Sequence, residues 1–164
     1  MLQIRTAEPH DLGRIMEIYH YAQDFMARTG NPTQWGHAHP AEGMILTDID
    51  QKICKVLYDE TGIHGVFALL EGRDPTYARI DGGSWRNDGP YVTIHRVAGD
   101  GQVHGLFSCI ADYCKAISDN IRIDTHADNK IMQKQIERNG FQKCGIIYLE
   151  NGDPRIAYQW TNEQ

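Results

Sequence analysis

The stretch from Tyr91 to Ile117 constrains the fold more than any other part of the chain. Its first segment, Tyr91-Val92-Thr93-Ile94-His95-Arg96-Val97, mixes β-branched and aromatic residues that suit a pleated strand. Its last carries Leu106, Phe107, Ile110, Tyr113, Cys114 and Ile117 at the three-and-four spacing of an amphipathic helix. Between them Gly99, Gly101 and Gly105 occur with no proline. A glycine-rich passage from strand into helix has two readings. It is a tight turn between core elements, or it is a phosphate cradle. In the second case the unpartnered N–H groups of the first helical turn meet the anion, and glycine lets the backbone approach.

Charge narrows the classes of partner. The chain has 164 residues, with 22 acidic against 16 basic side chains, for a net charge of −6. No Lys- or Arg-rich block occurs, which argues against nucleic acid and anionic membranes as partners, since both need a basic face. The length suits one domain spanning 1–164 with a sizeable core. Met1 to Arg5 begins no long apolar run, so neither a signal peptide nor a membrane span is expected there. Cys54, Cys109, Cys114 and Cys144 form no CxxC pair. Scattered cysteines of this kind suit reduced thiols packed as small hydrophobes, and hence a cytoplasmic protein, better than disulfides or zinc.

Elements follow along the chain. Leu2 to Arg5 reads as a short strand. A helix is expected over 9–28, with Pro9 and Asp11 at its start and Leu12, Ile15, Met16, Tyr19, Phe25 and Met26 along its apolar stripe. Trp35 suits either core burial or a substrate wall. His37 and His39 lack a third ligand and read as solvated or hydrogen-bonded rather than metal-binding. Thr47 to Gln51 is expected to form a short helix capped by Thr47 or Asp48. Ile53 to Tyr58 and Ile63 to Leu70 read as a hairpin.

A long loop from Glu71 to Pro90 follows, carrying Tyr77 and Trp85, and loops of this length tend to be functional. Asn120 to His126 alternates as a strand, with Arg122, Asp124 and His126 on one face. A helix then opens at Asp128 or Asn129 and closes at Asn139-Gly140. Phe141 to Leu149 and Arg155 to Trp160 form a terminal hairpin across Asn151-Gly152-Asp153-Pro154. This hairpin, ending in Trp160, offers an edge that could pair with a second copy as a homodimer.

The order is strand, two helices, hairpin, strand, helix, strand, helix, terminal hairpin. Together with the loop Gln102-Val103-His104-Gly105-Leu106-Phe107 after Val97, and with Asp128-Asn129 ahead of Asn139-Gly140-Phe141, this resembles the GNAT superfamily of acyl-CoA-dependent N-acyltransferases. The resemblance implies an α+β fold: a mixed, mostly antiparallel twisted sheet of about six to seven strands flanked by about four helices.

It also implies acetyl-CoA as acyl donor, with no metal, and a small-molecule or peptide amine as acceptor. The implied cofactor-binding residues are Val97, Gly101, Gln102, Val103, His104, Gly105, Leu106, Ser108 and Asn129. Asn129 would either bond pantetheine or cap its helix. Two positions depart from the family's pattern. Phe107 stands where a small residue is usual, and either narrows the site or points into the core. Ile136 stands four before Gly140, where many members carry the tyrosine that protonates the leaving thiolate. Asp100 must turn away from the phosphates if the loop is to hold them.

In the resembled reaction an amine attacks the thioester directly, after losing a proton to a base. His126, Asp124 and His95 are the base candidates, with His126 first because it follows Asp124 on one strand face. The other reading of His126 is a hydrogen bond to a neighbouring loop. Tyr148 and Cys109 are the remaining proton donors considered for the thiolate. Trp35, Tyr77 and Trp85 would frame the acceptor. The rival to an enzyme is a non-catalytic acyl-CoA-binding regulatory module that kept this fold. A Rossmann domain is disfavoured, because the glycines do not form G-x-G-x-x-G.

Overall fold

The computed structural model describes residues 1–162. Seven strands form one sheet: β1 Gln3–Thr6, β2 Cys54–Asp59, β3 Gly62–Glu71, β4 Val92–Gly99, β5 Asn120–Thr125, β6 Gln142–Tyr148 and β7 Pro154–Thr161. Four helices flank it: α1 Leu12–Arg28, α2 Glu42–Asp50, α3 Leu106–Ile117 and α4 Lys130–Arg138. The sheet order is β1-β2-β3-β4-β5-β7-β6, antiparallel except where β4 runs beside β5. This is the α+β architecture expected, with seven strands and four helices.

Each face has its own core. Ile94, Ile121, Ile123 and Tyr158 meet Phe107, Ile110 and Ile136 on the side of α3 and α4. On the opposite side Val56, Val66 and Ala98 meet Ile15, Ile18, Tyr19, Ile45 and Ile49 from α1 and α2. That side continues over β6 and β7, where Tyr77 and Tyr91 cover Ile147 and Ala157. Phe107 is thus a core side chain, 6.2 Å from the Phe141 ring.

Two expectations need correction. Helix α2 begins at Glu42, so Thr47 and Asp48 lie inside it rather than at its cap. The start was hidden because Ala41 caps it without a side-chain bond, and Gly43 follows in the first turn. The apolar stripe of α1 runs through Ile15, Ile18, Tyr19, Ala22 and Gln23, leaving Phe25 and Met26 only partly covered. Within the terminal hairpin β7 lies between β5 and β6, so Trp160 stands on an interior strand. The edge belongs to β6, and Asp81 pairs with Ile146 there by reciprocal N–H···O bonds of 2.9 and 2.8 Å.

Two irregularities open the sheet. Strands β4 and β5 are paired at Val92↔Ile121 and Thr93↔Arg122, and beyond that point no further ladder pair joins them among the described residues. One residue of β3, Phe67, faces two of β4, Arg96 and Val97, which makes a β-bulge. Arg96 takes a left-handed φ of 54°, a conformation costing about 1–2 kcal/mol for a residue with a Cβ. Asp48 holds its guanidinium at 2.9 and 3.0 Å, and the Tyr19 hydroxyl donates to its carbonyl at 2.7 Å. The bulge is therefore anchored by both α1 and α2, and it bends β4 where the cleft begins.

Candidate active site

The cleft between the parting strands has two halves. The first, about 450 Å³, lies at the start of α3, and the second, about 500 Å³, lies over β4, β5 and the β6–β7 turn. Each is the size of a small-molecule site. Val97, Asn129, Met26 and Met132 line both, so the halves meet at the bulge.

The first half is built by the loop before α3. Gly105 caps the helix in a left-handed conformation, φ 73°, and Gly101 in the loop before it is also left-handed at φ 76°. A Cβ on Gly101 would lie 2.3 Å from the Tyr21 hydroxyl, so α1 presses directly on the loop. The N–H groups from Val103 to Ser108 donate to no acceptor among the described residues. They open beside a cavity, at the positive end of a 12-residue helix. Val97, Gly101, Val103, His104, Gly105, Leu106 and Asn129 line this half, whereas Gln102 and Ser108 do not. The Ser108 hydroxyl accepts from Asn139 at 3.3 Å. Asn129 caps α4, taking the Met132 N–H at 3.1 Å, and its amide donates to Gln34 at 3.1 Å. Tyr21 and Phe25, stacked at 6.3 Å, complete the wall and had been overlooked, because α1 was read only for its core stripe.

Asp100 turns away from this opening. It accepts the Gln102 N–H at 2.9 Å, Arg14 at 2.6 Å and His64 at 2.8 Å. His64 is buried, and its other ring nitrogen faces Asp59 at 3.0 Å and Thr61 at 2.7 Å. The Thr61 hydroxyl and N–H, with His64, hold the Asp59 carboxyl down at about 2. The hydrogen bond to Asp100, then that to Asp59, raises His64 above its ordinary 6.5 despite burial.

A raised histidine stabilises the fold below its unfolded value, and that contribution disappears as pH climbs through the folded one. The midpoint of thermal unfolding is therefore expected to fall as pH rises above 6.5. His64→Gln should remove that slope, and an identical slope in both proteins would show that His64 does not carry it.

The second half holds the titratable groups. His95, Asp124 and Arg155 stand on one face, since Thr93 pairs with Arg122, Asp124 with Ala157 and Ile147 with Arg155. His95 Nε2 lies 3.0 Å from Asp74. Burial would raise the Asp74 carboxyl, but bonds from His95 and from the Thr76 hydroxyl and N–H hold it at about 2. Asp74 is then an ionised acceptor, so His95 donates through Nε2 and keeps its Nδ1 lone pair. Asp124 accepts the Tyr77 hydroxyl at 2.7 Å. Burial, with Asp124 adding to it, pushes Tyr77 well above its usual range, so the phenol keeps its proton. Trp35 lines the cleft, edge-on to Tyr19 at 5.7 Å.

The other candidates fall elsewhere. His126 Nδ1 accepts the Asp128 N–H at 2.9 Å, so Nε2 carries the proton and faces Thr33 at 3.3 Å. Both nitrogens are occupied, and His126 does not line the cleft. Trp85 lies beneath it, bonded to the Tyr77 carbonyl at 2.9 Å and packed on Arg122 at 4.0 Å. Tyr77 is buried and supports the wall from behind. Ile136 is fully buried, while Tyr148 and Cys109 line neither half. Asp74, Thr76, Asp153 and Arg155 line the second half and were not singled out. Only their place within a long loop and a turn hinted at them.

Among the described residues no group of three His, Cys, Asp or Glu side chains is placed to hold a metal ion. No helix of these residues is long and apolar enough to cross a membrane.

No protein-family model and no curated protein sequence matches the chain. Solved structures do. A GNAT-family acetyltransferase from Streptococcus agalactiae is 29% identical, with 99% of this chain and 96% of that one covered and a TM-score of 0.88. One from Bacillus cereus is 21% identical over 100% and 99% of the two chains, with a TM-score of 0.65. A GNAT-superfamily phosphinothricin acetyltransferase from Sinorhizobium meliloti, solved with acetyl-CoA, is 16% identical over 98% and 88%, with a TM-score of 0.63.

Proposed function

Because the chain belongs to the GNAT superfamily, we propose that it moves an acetyl group from acetyl-CoA to a primary amine of a small molecule or peptide. The observation that carries this reading is the row of unpartnered N–H groups from Val103 to Ser108 beside an open groove. Such a row suits a diphosphate, and the groove continues past Val97 into the half that holds His95. The acetyl-CoA complex of the Sinorhizobium meliloti relative is in keeping with that donor.

In this reading the donor supplies an activated acyl carbonyl, and the chain supplies position and charge. Holding both reactants in one cleft is worth up to about 7–11 kcal/mol. His95, held by Asp74, takes a proton from the incoming ammonium through Nδ1. The amine nitrogen then forms the C–N bond as the C–S bond breaks. The Val97 N–H, at the bulge where β4 leaves one-to-one register, donates to the oxygen that gains charge. The nitrogen sheds its second proton to water as the amide forms, and the leaving thiolate takes its proton from water, since Ile136 is core and neither Tyr148 nor Cys109 lines the cleft.

Thiol release from acetyl-CoA across a panel of amines and peptides tests the transfer. Amine-dependent release is expected. Tight acetyl-CoA binding without release on any acceptor would instead favour a non-catalytic acyl-CoA-binding module.

A further inference from the structure

Three arginines have guanidinium groups in or beside the second half of the cleft, and two of them are turned onto the protein itself, although the Arg122 Nε is sealed without a partner. Arg96 is clamped by Asp48 at 2.9 and 3.0 Å. Arg122 lies between the rings of Trp85 and Tyr91, 4.0 and 3.9 Å from their centres, and donates to the Asn87 carbonyl at 2.9 Å. Arg155 differs. Only 5% exposed, it makes one hydrogen bond among the described residues, to the Pro154 carbonyl at 2.9 Å, and no ion pair. It lines the second half, and none of its nitrogens is among the sealed atoms without partners. Its remaining donors therefore open onto the cleft.

Burial pulls Arg155 below its usual value, only partly offset by Asp124 and Asp153. Neither carboxylate closes an ion pair with it, and Asp124 is already bonded to Tyr77. A guanidinium mostly removed from water, with a fork of free donors, matches a planar carboxylate.

The rest of that face fixes the other end of the ligand. From β4 to β5 to β7 the row reads His95 with its Asp74, then Asp124, then Arg155. All of these groups line one cavity of about 500 Å³, so an amine and a carboxylate on one small molecule can meet both ends of the row. A simple cationic amine would leave Arg155 uncompensated, and a simple acid would meet Asp124 and Asp153.

We infer that the acceptor is a free amino acid, its carboxylate held by Arg155 and its amine presented between His95 and Asp124. This rests on the acyltransfer reading above and narrows it.

The test is calorimetry on the full chain, with and without CoA, using the twenty standard amino acids and the carboxamide of each. At least one acid is expected to bind about 100-fold more tightly than its carboxamide, the cost of leaving a buried charge unpaired. Arg155→Gln should abolish that preference and Arg155→Lys should keep part of it, both with unchanged CoA affinity as the sign of an intact fold. No acid preferred over its amide in the unaltered protein overturns the inference without recourse to any variant. So does a preference that survives in Arg155→Gln. Thiol release with amides as fast as with acids removes the inference and leaves acyl transfer standing. Acid-selective binding without thiol release does the reverse.

Discussion

Gly105→Val is expected to weaken acetyl-CoA binding roughly 10- to 100-fold, an energy of about 1.4–2.8 kcal/mol. The reason lies in the backbone rather than in crowding. A Cβ at Gly105 meets nothing within 4 Å, but the residue sits at φ 73°. A β-branched side chain resists that conformation strongly, so the cap turns and the N–H groups that follow it lose their common aim. The helix itself should survive, because Phe107, Ile110, Ala111 and Cys114 keep α3 in the core. Calorimetry with acetyl-CoA, alongside circular dichroism, separates the two effects. Wild-type affinity in a folded Gly105→Val protein would contradict the proposed use of the loop.

The second large effect concerns the base. His95→Ala should lower the rate of thiol release by about 10²–10⁴, the usual range for removing a positioned base. Acetyl-CoA affinity should be unchanged, because His95 lines only the acceptor half. Asp74→Asn should act in the same direction. An amide side chain can donate to His95, which removes the acceptor that fixes which ring nitrogen carries the proton. His126→Gln is the contrast, and should stay near the wild-type rate, since one ring nitrogen accepts the Asp128 N–H, the other faces Thr33, and the ring does not line the cleft. A severe loss in His126→Gln with a mild one in His95→Ala would reverse the assignment.

The two halves of the cleft were not equally legible. The loop half could be read because β4, three glycines and the stripe of α3 are contiguous, and each signal depends on a different periodicity or residue type. The acceptor half is assembled from residues near 35, 74, 95, 124 and 155, which share no spacing. Asp74 and His95 meet across a 21-residue separation, through a loop whose path follows from tertiary packing. His126 and Asp124 alternate as expected, yet β5 ends at Thr125, so His126 has already left the strand. The place of strand β7 was hidden in another way. Sequence neighbours tend to be spatial neighbours, so the insertion of β7 between β5 and β6 moved Trp160 inward and brought Arg155 to the cleft. The bulge at Arg96 gave no sign in the sequence, because an arginine with left-handed φ has no compositional mark.

The claim that supports the rest is that main-chain N–H groups at the start of α3 hold a diphosphate. Amide proton and nitrogen shifts of the labelled protein, followed while desulfo-CoA is added, test it most directly. The largest changes are expected in Val103 to Ser108, with downfield proton shifts as those groups gain an acceptor. Desulfo-CoA binding that leaves these amides unmoved, or no binding at all, would contradict the account.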